Sequence, residues 1–390
     1  LIRNNHNIKK NIELRNDILE RSFNSFYNSF DNIYGGFKSS RNKFPKPHDY
    51  SFIARYYYKM KDDRALEIIN KSLYEMRKGG IFDQIGFGFH RYSTDQKWLV
   101  PHFEKMLYDQ AIIVLAYAEA WHATGKIEYR NVVEEIFQYI HRDMTSETGG
   151  FYSAEDADSE GEEGTFYLWT TEEISSLLGD ESKQFSTFYN LDEDGNWPEG
   201  KRHGSTNILH LRKTLDEIAE ELNINTAELF SLNEKWREHL FSIRENRVHP
   251  LKDDKILTDW NGLMIAALAV SGKYLNNINY IKSAEKAMDF ILDEMQNKNG
   301  SLKKRYKNGE SGLTGVLDDY AFIIWALIEL YQSTFKLSYL ENAIELTQYQ
   351  LNHFWDENGK GFYFSADNGE NLLSRPKEYY DGAIPSGNSV

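Results

Sequence analysis

Apolar positions recur every three or four residues along most of this chain, and the recurrence itself repeats. Residues 8–30 carry Ile12, Leu14, Ile18, Leu19 and Phe23 near helical spacing and predict an amphipathic helix. The same pattern predicts helices at about 49–60, 62–77, 102–122, 128–143, 258–272, 279–295, 317–333 and 338–354. Four times one unit returns: a helix opening near Arg64, Tyr129, Tyr280 or Tyr339, a glycine-containing turn, then a short aromatic strand. The turns are Gly79-Gly80-Ile81-Phe82, Gly149-Gly150-Phe151-Tyr152, Gly300-Ser301-Leu302 and Gly361-Phe362-Tyr363-Phe364. Second helices with acidic heads follow at Asp109-Gln110-Ala111, Asp259-Trp260-Asn261-Gly262 and Asp318-Asp319-Tyr320-Ala321. Helix pairs of this kind must stack to bury their apolar faces.

Residues 149–256 interrupt the repeat and read as an insertion. It is expected to hold an aromatic strand at Phe166-Tyr167-Leu168-Trp169, a capped helix opening at Thr170-Thr171-Glu172-Glu173, and a long polar helix near 226–245. Elsewhere the links alternate. Those around Gly125-Lys126, 272–279 and 334–338 are short, whereas the others are long and rich in glycine, aromatics and charge. Helices alternating up and down in a ring would gather every long loop at one end, where function is expected. The expected fold is mainly α, an (α/α)6 toroid with short β-hairpins in its long loops. Nine helices outside the insertion, with the sequence stopping where a tenth would begin, predict a ring incomplete at its C-terminus. A complete small helical solenoid is the alternative.

Composition narrows the function classes. The 390 residues are 41% apolar, enough for a large core, and the seven prolines all fall outside the periodic segments. A net charge of −15 with no basic stripe argues against nucleic acid or an anionic membrane as partner. No cysteine is present, which excludes disulfides and thiolate metal sites within this sequence. The longest apolar runs fall well short of the roughly 18 residues that span a bilayer. With no signal peptide in view, a cytoplasmic protein is expected.

The richest chemistry lies in Gly86-Phe87-Gly88-Phe89-His90-Arg91-Tyr92 and Trp98-Leu99-Val100-Pro101-His102-Phe103-Glu104-Lys105-Met106-Leu107-Tyr108-Asp109. On a helix starting near His102, Glu104 would lie in a first turn that favours carboxylates, and a histidine beside a glutamate can move protons near neutrality. The plain alternative is a buried ion-pair network fixing the loop. Asp318-Asp319 could act as acid and base if their surroundings push their pKa values apart, with Asp319 preferred; a helix cap is the alternative. Trp260 could stack on a sugar face and Asn261 read its hydroxyls; a core tryptophan and a capping Asp259 are the alternative. Asp156-Ala157-Asp158-Ser159-Glu160-Gly161 opens like a calcium loop, but Tyr167 stands at its twelfth position, so an acidic loop is expected. Gly86-Phe87-Gly88 lacks the third glycine of a nucleotide loop, and no HExxH pair occurs. No metal or cofactor is expected.

These segments together resemble the YyaL-like family, which includes the spermatogenesis-associated, thioredoxin-domain-containing proteins. The resemblance is carried by Gly79-Gly80-Ile81-Phe82-Asp83-Gln84-Ile85-Gly86-Phe87-Gly88-Phe89-His90-Arg91-Tyr92-Ser93 and Pro101-His102-Phe103-Glu104-Lys105-Met106-Leu107-Tyr108-Asp109-Gln110. Lys43-Phe44-Pro45, Ala154-Glu155-Asp156-Ala157-Asp158-Ser159-Glu160-Gly161, Asp253-Asp254-Lys255 and Trp260-Asn261-Gly262-Leu263-Met264 belong to it as well. So do Leu317-Asp318-Asp319-Tyr320-Ala321 and Asp381-Gly382-Ala383-Ile384-Pro385-Ser386-Gly387-Asn388-Ser389. The resemblance implies a thioredoxin-like domain followed by a six-hairpin toroid similar to glycosidases and N-acylglucosamine epimerases. On that reading residues 1–30 are a linker helix after a missing thioredoxin-like domain, and 31–390 are the truncated toroid. Asp259 departs from the family pattern, where a small residue usually precedes Trp-Asn.

The expectation is therefore a sugar epimerase/isomerase or glycoside hydrolase acting on a small sugar or oligosaccharide. His102, Glu104 and Asp319 would transfer protons. His90, Arg91, Trp98, Asp109, Trp260, Asn261, Asp318 and Tyr320 would hold the sugar. A non-catalytic glycan- or protein-binding module attached to the thioredoxin-like domain is the alternative.

Overall fold

The structure, a computed structural model, describes residues 17–197, 205–370 and 372–390. The first half of the helix expected at 8–30, with Ile12 and Leu14, lies outside the described residues. The regular elements are α1 (Ile18–Ser29), α2 (Pro47–Met60), α3 (Asp63–Lys78), α4 (Leu107–Thr124) and α5 (Ile127–Asp143). The insertion adds α6 (Thr171–Leu178), α7 (Ser182–Tyr189), α8 (Leu215–Leu222) and α9 (Thr226–Arg244). Then follow α10 (Thr258–Leu275), α11 (Ile278–Met295), α12 (Leu317–Thr334) and α13 (Leu337–Phe354).

Two kinds of helix alternate, and their sequences say why. Helix α4 is buried without interruption from Leu107 to Ala120, and α10 from Asn261 to Gly272. Helices apolar on every side must be enclosed. By contrast α3, α5 and α11 bury one stripe each, such as Val132, Val133, Ile136 and Ile140 on α5. The inner helices α2, α4, α10 and α12 pack in that order, each against the next, while the outer helices lie behind them. This arrangement of helix pairs is that of an (α/α)6 toroid.

The links divide as the sequence indicates. At the closed end, each inner helix passes to its outer partner through one left-handed residue and one extended residue. These pairs are Lys61-Asp62, Gly125-Lys126, Asn276-Asn277 and Phe335-Lys336. At the other end, each outer helix runs into the same bridged turn, at Phe30–Phe37, Phe82–Phe89, Thr145–Phe151, Gln296–Leu302 and Trp355–Phe362. Close approach fixes glycine at one of these turns: a Cβ on Gly80 would lie 2.1 Å from the Leu99 carbonyl oxygen. All four inner helices therefore begin at one rim.

Short strands line that rim. Pro101–His102 pairs with Tyr92–Ser93, and Lys105–Met106, Ala154–Glu155 and Lys252–Asp253 form a small sheet. Ile256–Leu257, Lys303–Lys307 and Glu310–Thr314 form another, whose hairpin turns at Asn308-Gly309, both with positive φ. Two expectations are corrected here. The helix expected near 102–122 begins only at Leu107; His102 lies on a strand and Glu104 in the irregular stretch after it, so Glu104 is not a first-turn acid. The aromatic strand expected at 166–169 is a turn, with only Trp169–Thr170 paired, to Thr206–Asn207. Pro101 and the sheet pairing of Lys105 hold that stretch extended.

The insertion has its own core around Trp169, Phe185, Phe188, Trp236 and Leu240. It is fastened to the toroid by Arg244 at the end of α9, whose guanidinium donates to both Asp83 oxygens at 2.8 and 2.9 Å. Lys105 donates to the same carboxylate at 2.8 Å, and all three side chains are buried. Burial opposes the charge on Asp83, but Arg244 and Lys105 hold its carboxyl well below the usual range. Among the described residues, no helix is long and apolar enough to cross a membrane.

Candidate active site at the rim of the inner helices

The first turns of the inner helices bring acids to the rim: Asp49 on α2, Asp109 on α4, Asp259 on α10, and Asp318 and Asp319 on α12. A helix N-terminus favours negative charge, which explains why acids are tolerated there. What distinguishes them is how each carboxyl is partnered.

Asp319 is completely enclosed. Its Oδ2 accepts from the Val316 backbone N–H at 2.7 Å, capping its own helix, and its Oδ1 accepts from the Asp259 N–H at 3.0 Å. Lys304, on the hairpin strand Lys303–Lys307, bridges Asp259 at 2.5 Å and Asp319 at 3.1 Å. Burial, and then the charge of Asp259, push the Asp319 carboxyl up against the pull of Lys304. Asp319 thus ties α12 to α10. Its neighbour Asp318 is only partly buried, and its Oδ1 accepts from the Gly387 N–H at 2.8 Å. Burial pushes Asp318 up to about 6 despite that bond, which places its titration near neutrality.

His102 sits between two carboxylates. Its Nδ1 donates to Glu163 at 2.7 Å, and its Nε2 lies 3.6 Å from Glu104. Those two glutamates raise the ring to about 9, so it is an imidazolium at neutral pH. Tyr92 stacks on the ring, with centroids 5.0 Å apart. Glu104 in turn accepts from Arg91 at 2.9 Å, and His102 and Arg91 keep it ionised below its ordinary range against its burial. Arg91 also meets the Tyr108 hydroxyl. The Tyr108 ring meets Trp260 edge-on at 4.8 Å, and the Trp260 backbone N–H donates to Asp259 Oδ1 at 2.9 Å. Direct contacts therefore run unbroken from Glu163 and His102 through Glu104, Arg91, Tyr108, Trp260 and Asp259 to Lys304 and Asp319, beside Asp318.

Several expected sugar contacts are spent elsewhere. His90 is buried, its Nδ1–H donates to the Phe103 carbonyl at 2.9 Å, and burial and then Lys105 depress it to about 3. Trp98 is wholly buried; its indole N–H donates to the Tyr34 carbonyl and its face covers Lys43. Asn261 receives the Phe151 N–H and donates to the Phe151 and Leu257 carbonyls, pinning the turn after α5. The Tyr320 hydroxyl accepts from the Leu302 N–H, and its ring stacks on Tyr349. These four are held in the walls, while Arg91, His102, Glu104, Asp109, Trp260, Asp318 and Asp319 gather along the rim.

Two participants escape a reading of the sequence. Glu163 comes from the insertion, 61 positions from its histidine, and nothing local marks it. Lys304 had a signal: Asn308-Gly309 between two β-prone runs announces a hairpin that must fold back over the helix ends. Among the described residues, no cluster of histidine and acidic side chains could hold a metal ion.

No protein-family model matches the chain. Spermatogenesis-associated protein 20 of Homo sapiens is 36% identical over 405 residues, covering 95% of this chain and 51% of that protein. The chain thus spans about half the length of the curated relatives it matches. Among solved structures, a GH76 α-mannanase of Bacteroides thetaiotaomicron superposes with a TM-score of 0.52 at 12% identity, covering 90% of this chain and 72% of that one. A sugar epimerase from a ruminal bacterium aligns with a TM-score of 0.40 at 16% identity, covering 94% and 90%. The mannanase likeness shows a shared fold. The repeated hairpins, the rim they build and the extended sequence match lead to one assignment: the chain belongs to the family of spermatogenesis-associated protein 20.

Proposed function

We propose that the rim carries out acid–base chemistry on a carbohydrate, as a glycoside hydrolase. The observation that carries this reading is Asp318, a partly exposed carboxyl on the fourth inner helix, pushed up to about 6, beside a continuous arc of charged and aromatic groups. A carboxyl titrating there can take a proton from water and return it at physiological pH. Trp260 offers an aromatic surface to a sugar ring, and Arg91, Glu104 and His102 offer donors and acceptors for hydroxyls. Asp319 keeps its place in the site but holds α12 and α10 in register, so the transfer passes to Asp318. An imidazole-driven epimerisation is less well supported, because His102 is already charged and His90 is buried. The shared fold with an α-mannanase fits a sugar substrate.

The test is a screen of oligosaccharides and aryl glycosides with the full-length protein. Asp318→Asn is expected to cut turnover about 10²–10⁴-fold with unchanged circular dichroism. Glycan binding without turnover in the unaltered protein would instead establish a binding module beside a thioredoxin-like domain.

A further inference from the structure

Asp109 differs from every other buried aspartate described above. It stands in the first turn of the inner helix α4 and is 4% exposed. Asp83 is satisfied by Lys105 and Arg244, Asp319 by two backbone N–H groups and Lys304, and Asp259 by Lys304. The Oδ2 of Asp109 is buried with no hydrogen-bond partner. The groups facing it are Arg91, whose guanidinium is committed to Glu104 at 2.9 Å, and Glu104 itself, whose negative charge opposes a second one. Burying an unbonded carboxylate in such a place is strongly unfavourable, so the neutral acid is the form this site accepts. Burial accordingly raises its pKa well above the ordinary value. A carboxyl kept only for structure would spend its oxygens on helix N–H groups, as Asp319 does.

We propose that Asp109 is the proton donor of the rim, working with Asp318 as the acceptor in the hydrolysis of a glycoside. This rests on the reading of the rim as a sugar-hydrolysing site. The Asp109 O–H bond breaks and its proton passes to the bridging oxygen of the glycoside. The bond from that oxygen to the anomeric carbon breaks, its electron pair leaving with the oxygen. Water adds to the anomeric carbon and gives its proton to the Asp318 carboxylate; Asp318 then releases that proton to solvent, and solvent returns one to Asp109. Donor and acceptor sit on inner helices separated by α10, so the sugar would lie across Trp260.

The experiment compares methyl and dinitrophenyl glycosides of neutral hexoses with the full-length protein. Methyl leaving groups need a proton and dinitrophenolate does not. Asp109→Asn should lower methyl glycoside hydrolysis about 10²–10⁴-fold, and dinitrophenyl glycoside hydrolysis less than about 10-fold. Asp109→Glu, which keeps the acid, should recover part of the loss and guards against a folding defect. Infrared difference spectra of the unaltered protein against Asp109→Asn should show a protonated carboxyl band at neutral pH. An equal loss on both glycosides, no loss on either, or a carboxylate band would overturn the donor assignment alone. If the unaltered protein cleaves neither glycoside, the sugar-hydrolysis reading falls and the donor role falls with it.

Discussion

A lysine that holds two buried carboxylates is a point where a single change has a large, readable effect. Lys304 bridges Asp259 and Asp319, and Asp319 has no exposure to water. Lys304→Met would leave two acids facing each other in a poorly solvated place, a loss of about 3 kcal/mol in urea unfolding. Lys304→Arg should restore most of it. His102 makes a second residue-scale prediction. Its ring titrates at 6.5 in the unfolded chain and at about 9 in the fold, so folding favours the protonated form. The stability it contributes is full below pH 6.5 and is lost as pH rises through about 9. The melting-temperature gap between the native protein and His102→Gln should therefore be widest near pH 6 and close toward pH 10. A gap that is the same at both ends of that range would mean that His102 is held by packing and not by its two glutamates.

At the scale of elements, the repeat was legible because helix enclosure is written in sequence. Leu263-Met264-Ile265-Ala266-Ala267-Leu268-Ala269-Val270 can only be an inner segment, and the alternation on α5 or α11 can only be an outer one. Long-range chemistry was not legible. Read locally, Glu104 is a first-turn acid, because nothing near it shows that Lys105–Met106 pairs with Ala154–Glu155, nearly fifty residues on. Likewise the rich polar content of 83–105 divides in two: Asp83, His90 and Lys105 turn inward, while Arg91, His102 and Glu104 reach the rim. The plain alternative of a buried ion network was right for the first half. That network makes an element-scale prediction. Asp83→Asn would bury Lys105 and Arg244 with no negative partner, costing about 3–5 kcal/mol. Because Arg244 ends α9, hydrogen exchange should rise first in α9 and along Ala154–Glu155, before the inner helices α4 and α10 lose protection. Uniform loss of protection would mean that the insertion and the toroid unfold as one unit.

For the molecule as a whole, charge decides which sugars can approach. The chain carries −15, and the rim itself presents Glu104, Glu163 and Asp318 against Arg91, His102 and Lys304. Each of those cations is already paired at short range with a carboxylate of the rim. An anionic glycan would have to displace one of those pairings and would meet a repulsive field on the way in, whereas a neutral one needs only hydroxyl contacts and the face of Trp260. Neutral oligosaccharides should therefore raise the melting temperature of the full-length protein, since a ligand that binds only the folded state stabilises it by mass action. Uronate-containing oligosaccharides of equal length should do so less, and the difference should shrink as salt rises from about 0.02 to about 0.5 M, because the screening length falls from about 20 Å to about 4 Å. A preference for the uronate that weakens with salt would reverse the argument, showing that Arg91 or His102 abandons its glutamate to hold the substrate's acid.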